Sequence, residues 1–331
     1  MHTLLIHEGT FARLSDQLKA RASHVRTVIL GNDGAFRTAE GDAVEGRANP
    51  QIGYGTPDVW FTKIAPAFVK EFLETESLEW FQSSAAGTEH PILRAIGQKA
   101  KHYTNSHAQS EAIAEWVLWA GFDWLQDGPA RRAAQIDKRW DRLEFREMGG
   151  TRWIVVGFGA IGRETAKRLR LLGAHVTGVR RTVGAHPDAD DMITPDQLKA
   201  TLPNADAVLL CCPLTDETEG MADASFFKAM KPDSLFLNVG RGKLVDENAL
   251  LDGLEQGRPQ YAALDVTEVE PLPHDSPIWH HPAITLTAHI SANTMGSAYR
   301  TDRIFLENLD RFLAGDALIN LIPNVEFLAP V

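Results

Sequence analysis

The sequence predicts an α/β fold built from two doubly wound parallel sheets, one inserted in the other, and three observations carry that reading. The chain has 331 residues, more than one hydrophobic core usually serves. Short apolar, β-prone runs alternate with helical stretches along its length, the pattern of parallel sheets covered by crossover helices. The segment Trp153 to Arg181 then encodes a strand, a glycine turn, a helix and a second strand in order.

Before residue 105, Leu4 to Ile6, Val28 to Leu30, Val59 to Phe61 and Trp80 to Gln82 read as strands. From 106 to 125 the run SHAQSEAIAEWVLWAGFDWL sets Ala112, Glu115, Trp116, Trp119 and Phe122 at helical intervals. It reads as a long buried helix crossing between domains. Trp153 to Val156 is the next strand, and Gly157, Gly159 and Gly162 supply the G-x-G-x-x-G spacing of a dinucleotide turn. Gly157 allows the tight turn, Gly159 admits the pyrophosphate without a Cβ, and Gly162 lets the helix pack closely on the sheet, its N-terminus facing the anion. Ile161, Thr165, Leu169 and Leu172 recur at helical spacing, Gly173 closes the helix, and Ala174 to Val179 form the second strand.

Thr194 to Gln197, TPDQ, reads as a capping box with proline at the first helical position. Strands follow at Ala207 to Cys212, Ser234 to Leu237, Ala262 to Val266 and Ile284 to Thr287. A helix from Glu247 to Gln256 ends at Gly257. Thr294 to Ala314 reads as a helix returning the chain to its first domain. The expected organisation is therefore two Rossmann-like domains. A dinucleotide domain over 105–290 is inserted in a domain made of 1–104 and 291–331.

The formal charge of −11 argues against nucleic acid and anionic membranes as partners. The start MHTLLIHEGTFARL lacks the pattern of a secretory leader, and no apolar run approaches the ~18 residues of a membrane span. The two cysteines, Cys211 and Cys212, are adjacent in the run AVLLCC and read as small hydrophobes on opposite faces of a strand. With no disulfide framework, a reducing cytoplasm is the expected compartment. The His280-His281 pair has no accompanying ligand pattern, so no metal site is assigned.

NAD-selective sites place an acid about 20 residues into the unit to hold the ribose 2′-hydroxyl. Here Arg180, Arg181 and Thr182 stand there, and guanidinium groups bind a 2′-phosphate that a carboxylate would repel. NADPH is expected, with NADH as second choice. Two alternatives stay open: the arginines are solvated surface charges, or Asp188, Asp190 and Asp191 replace the missing acid if their loop folds back.

Ligands of such sheets bind beyond the carboxyl ends of the strands. Past SLFLN comes Val239-Gly240-Arg241-Gly242, an arginine placed for an anionic substrate. Past AALDV comes Glu270, in a loop stiffened by Pro271 and Pro273. Past AITLT comes Ala288-His289-Ile290-Ser291. Each has a competitor: Arg241 pairs with Asp246, Glu268 replaces Glu270, or His289 is a satisfied buried histidine.

The motifs NVGRGKLVDE, ALDVTEVEPLPHDSPIW and TLTAHIS, with QSSAAGTEH and YTNSHAQSEAIAEWVL upstream, resemble those of the D-isomer-specific 2-hydroxyacid dehydrogenase family in order and spacing. The likeness covers nearly the whole chain and is greatest to its NADPH-preferring glyoxylate/hydroxypyruvate reductases. It implies Arg241, Glu270 and His289 as the catalytic set, with 1–104 and 291–331 as the substrate domain. It also implies that Ala160, Ile161, Cys212, Pro213, Thr218, Val239, Gly240 and Asp265 contact the dinucleotide, Asp265 near the nicotinamide carboxamide. Arg241, His289 and the backbone N–H groups around Ala86 and Gly87 would hold a small 2-keto acid. His289 would donate a proton to the carbonyl oxygen as hydride arrives, with Glu270 on its other ring nitrogen favouring imidazolium.

The resemblance implies a homodimer; Trp116, Trp119 and Trp140 offer an apolar patch for it, with core burial as the alternative for tryptophans at helical spacing. The other readings are NAD-dependent oxidation of a larger D-2-hydroxy acid such as 3-phosphoglycerate, or a corepressor-like dinucleotide sensor. Formate oxidation is disfavoured because that branch has glutamine where Glu270 stands. The chain departs from the family at Ala288, where proline commonly precedes the histidine and stiffens the exit from the strand.

Overall fold

The computed structural model describes residues 1–60, 62–88, 90–182 and 184–328. The chain divides into two compact units, Met1–Ala108 with Met295–Val331, and Gln109–Thr294.

The first unit carries strands β1 (His2–His7), β2 (Val25–Leu30), β3 (Phe36–Thr38), β4 (Ile52–Gly55), β5 (Trp80–Ser83) and β6 (His102–Thr104), with a short strand Leu321–Ile322 from the returning segment. Its seven strands lie in the order Leu321–Ile322, β6, β5, β4, β1, β2, β3. The interior pairs are parallel, and both edge pairs, β3 on β2 and Leu321–Ile322 on β6, are antiparallel. The strand expected at Val59 to Phe61 does not form. Val59 lies in the short helix Pro57–Trp60, opened by proline, and Phe61 falls outside the described residues. The strand of that region is β4, IGYG, whose two glycines thin out the apolar signal.

The returning helix Ser297–Ala314 is bound to this unit by one apolar and one polar anchor. Phe305 is fully buried, stacked on Tyr54 at 4.1 Å and on Trp80 at 5.6 Å between ring centroids. Burying a side chain of this size stabilises by roughly 1.5–3 kcal/mol. One turn earlier, buried Asp302 accepts from the Tyr54 hydroxyl at 2.9 Å and pairs with Arg13 Nε at 2.7 Å. Arg13 also pairs with Asp58 at 2.8 Å. Burial alone would raise the Asp58 carboxyl, but the Arg13 guanidinium and the hydroxyls of Thr10 and Thr56 outweigh it and hold it below its ordinary value.

The second unit is a seven-stranded, wholly parallel sheet. Its strands are β7 (Arg152–Val156), β8 (His175–Val179), β9 (Asp191–Ile193), β10 (Ala207–Leu210), β11 (Leu235–Asn238), β12 (Tyr261–Leu264) and β13 (Ile284–Leu286). The order β13-β12-β11-β10-β7-β8-β9 puts the change of winding direction between β10 and β7, where a doubly wound sheet opens its ligand crevice. The Thr194 N–H donates to Gln197 Oε1 at 3.0 Å ahead of the helix Pro195–Thr201, as the capping box requires. Two strands stop short of their apolar runs. β10 ends at Leu210 and β12 at Leu264, which moves Cys211, Cys212, Asp265 and Val266 into loops at the carboxyl edge of the sheet.

The helix expected over 106–125 spans Ser110–Leu125 and opens the second unit, which begins at Gln109. Its buried face is Ile113, Val117, Ala120, Gly121 and Trp124. Glu115, Trp119 and Phe122 are exposed, and so is Trp140 beyond the helix. No helix among the described residues is long and apolar enough to cross a membrane.

Candidate active site

The turn after β7 is shaped by what glycine lacks. Gly157 has φ +99°, and a Cβ added there would lie 2.5 Å from the Cys212 backbone nitrogen, so conformation and contact both exclude a side chain. A Cβ on Gly162 would lie 2.4 Å from the Gly157 carbonyl oxygen, which shows how closely the helix Ala160–Leu171 sits on the turn. Gly159 caps that helix with open space where its Cβ would be, and Ala160 and Ile161 form the first turn. The bare glycine face and the unpaired N–H groups of the helix terminus fit a pyrophosphate.

A cavity of about 650 Å³ opens at this turn. It takes in the expected Gly157, Gly159, Arg180, Arg181, Thr182, Cys212, Pro213 and Thr218. Thr218 fastens its far wall: the hydroxyl donates to the Pro213 carbonyl and accepts from the Thr215 N–H, both at 2.8 Å. The Cys211 thiol donates to the Gly157 carbonyl at 3.1 Å, and burial pushes the Cys212 thiol up to about 11. Both cysteines are therefore packing groups at neutral pH, although they lie past the strand rather than within it.

The acids left open as substitutes are engaged elsewhere. Asp190 pairs with Arg170 at 3.1 Å and accepts from the Val176 N–H, Asp191 pairs with His175, and Asp188 lies beside His186. Among the lining residues that sequence reasoning missed, two are charged, Arg163 and Glu217. Arg163 directly follows the third glycine, so its position was visible but its direction was not.

Three loops at the carboxyl ends of β11, β12 and β13 carry the other polar residues. The Asn238 side chain shapes the first, accepting from the Gly240 N–H at 3.0 Å and donating to the Arg241 carbonyl at 2.9 Å. Val239 and Gly240 are buried there, and Arg241 Nη1 donates to the Gly240 carbonyl at 2.8 Å. Asp246, the suggested partner of Arg241, caps the helix Glu247–Glu255 by accepting from the Ala249 N–H at 3.0 Å. A Cβ on Gly242 would lie 1.9 Å from the Thr267 carbonyl oxygen, so the Arg241 loop presses directly on the loop that bears Glu270.

Glu270, not Glu268, meets the histidine. Its Oε2 lies 2.9 Å from His289 Nδ1, and its Oε1 accepts from the Thr267 N–H at 3.2 Å. The Glu268 N–H donates to Glu247 Oε1 at 2.7 Å. The His289 side chain is 51% exposed, which excludes the buried histidine, and its backbone sits at φ +54°. A left-handed conformation in a residue with a side chain costs about 1–3 kcal/mol and persists only where the surroundings enforce it.

Asp265 enforces it. Fully buried, its carboxylate accepts from the Thr287 hydroxyl at 2.6 Å, from the Ile290 N–H at 2.9 Å, and from the N–H and hydroxyl of Ser291. The Asp265 carbonyl accepts from the His289 N–H at 2.7 Å. These bonds tie the segment on both sides of His289 to Asp265, a role of Asp265 that its position in the sequence did not reveal. Glu270, His289 and Asp265 border a second cavity of about 480 Å³, walled on its apolar side by Pro271, Leu272 and Trp279.

In the first unit, Ala86 and Gly87 follow β5. The Ala86 carbonyl accepts from the buried Asn105 amide, and the Ala85 N–H donates to Ser83 Oγ at 3.1 Å. Glu89 of the same loop falls outside the described residues.

Residues 121–291 match the model of the D-isomer specific 2-hydroxyacid dehydrogenase, NAD binding domain. A glyoxylate/hydroxypyruvate reductase B of Enterobacter sp. (strain 638) is 32% identical over 228 residues, 65% of this chain and 68% of that protein. A D-3-phosphoglycerate dehydrogenase of Methanocaldococcus jannaschii is 26% identical over 81% of this chain, which spans about half of that protein, 52%. Among solved structures, a D-isomer specific 2-hydroxyacid dehydrogenase family protein from Aeromonas salmonicida subsp. salmonicida A449 superposes with a TM-score of 0.75 at 26% identity, covering 97% of this chain and 98% of that one. The chain belongs to the D-isomer-specific 2-hydroxyacid dehydrogenases, a family of NAD(P)-dependent oxidoreductases.

Proposed function

We propose that this protein reduces small 2-keto acids, glyoxylate and hydroxypyruvate among them, to 2-hydroxy acids, with NADPH preferred over NADH. The His289–Glu270 pair, clamped by Asp265 at the same sheet edge as Arg241, is the observation that carries the catalytic part. Arg180 and Arg181 at the end of β8, with the nearby acids turned to other partners, support the choice of dinucleotide.

The substrate carboxylate is the anion for Arg241, whose guanidinium offers a planar fork of donors. When bound, the reduced nicotinamide supplies the hydride. As charge builds on the carbonyl oxygen, His289 gives it a proton from Nε2, because Nδ1 is held by Glu270. The carboxylate fixes the ring's orientation and stabilises the imidazolium before the proton leaves. In the reverse direction the same nitrogen takes the hydroxyl proton.

The test is kcat/KM for NADPH and NADH in parallel, with glyoxylate and hydroxypyruvate as acceptors. The expected result is a preference for NADPH of about tenfold or more, the size of one charge-assisted contact. Equal use of NADH would remove the dinucleotide part of the reading. Turnover of 3-phosphoglycerate alone would remove the substrate part.

A further inference from the structure

We propose that Arg163 is a third specificity-determining guanidinium, which joins Arg180 in holding the 2′-phosphate of NADPH. The proposal rests on the NADPH preference put forward above and extends it to a residue outside the β8 end. Arg163 lies one turn into the helix Ala160–Leu171, and its Nε donates back to the Gly159 carbonyl at 3.3 Å. The side chain thus folds toward the glycine turn and borders the same cavity as Arg180, Arg181 and Thr182.

The charges around this cavity are out of balance. A cation near a helix N-terminus opposes the helix dipole, and the first turn here contains no acid to offset it. The helix's other arginines near carboxylates are paired, Arg168 with Glu164 and Arg170 with Asp190. Among the described residues, Arg163, Arg180 and Arg181 have no carboxylate partner, and Glu217 is the one acid lining the cavity. Three guanidiniums bordering one cavity give it a positive field that favours a multiply charged anion. The backbone N–H groups at Ala160 and Ile161 would hold the pyrophosphate. The ribose 2′-position belongs at the end of the second strand, beside Arg180, and a phosphate monoester there has oxygens enough for more than one arginine.

The test uses the full chain and isothermal calorimetry with adenosine 2′,5′-bisphosphate and adenosine 5′-monophosphate (AMP), two probes that differ only in the 2′-phosphate. In the Arg163→Gln variant, affinity for the 2′,5′-bisphosphate is expected to fall about tenfold while affinity for AMP stays unchanged. Arg163→Lys should recover part of the loss, since it keeps the charge without the fork. An equal loss for both probes, or no loss for either, overturns the proposal. If the wild-type protein itself binds the 2′,5′-bisphosphate no better than AMP, the NADPH reading fails instead, so the two failures are distinguishable.

Discussion

Replacing His289 by asparagine is expected to lower kcat for glyoxylate reduction by on the order of 10³, within the range for loss of a positioned general acid. The dissociation constant of NADPH should not change, because the ring lies at the ends of β12 and β13 while the glycine turn follows β7. Asparagine tolerates the left-handed backbone that position 289 adopts at φ +54°, so the loop should survive the exchange. Steady-state rates together with a fluorescence titration of NADPH check both halves. A kcat within a few-fold of wild type would remove His289 from the chemistry.

Replacing Asp265 by asparagine is expected to damage stability and catalysis together. The native carboxylate has only acceptors to offer, and it faces the N–H groups of Ile290 and Ser291 and the hydroxyls of Thr287 and Ser291. An amide turns one of its two ends into a donor; with the nitrogen in place of Oδ2 the Ile290 and Ser291 N–H groups keep Oδ1, but the Ser291 N–H then faces a second donor and every bond to the site loses its charge assistance, at a cost of about 1–3 kcal/mol. Tm should fall by about 5 °C for a unit of this size. The same change loosens the loop that holds His289 in its strained conformation, so kcat should fall even though Asp265 does not contact the ring through its side chain. A variant that melts like wild type and turns over at the same rate would show that the clamp is dispensable.

The sequence was most informative where one residue type answers one geometric demand. Gly157 and Gly162 sit where a Cβ would collide with backbone, and the three loops bearing Arg241, Glu270 and His289 leave adjacent strands β11, β12 and β13 at the same edge. It was least informative where tertiary partners decide. IGYG pairs as a central strand because β1 and β5 flank it, and Val59 is helical because Pro57 opens a turn. Trp119 and Phe122 keep helical spacing with buried neighbours, yet Ile113, Val117 and Trp124 define the face that packs. Asp265 read as the end of a strand, and only the fold brings residues 287–291 around its carboxylate.

The most direct measurement is the rate of NADPH oxidation with glyoxylate by the wild-type protein and the Glu270→Gln variant side by side. Glutamine preserves the size of the side chain and a hydrogen bond to His289 Nδ1, and removes only the charge that stabilises imidazolium. The wild type is predicted to turn over, and the variant to do so about tenfold or more slowly at neutral pH with NADPH binding intact. Tight NADPH binding without turnover by the wild type, or equal rates for the two proteins, would contradict the role given to the His289–Glu270 pair.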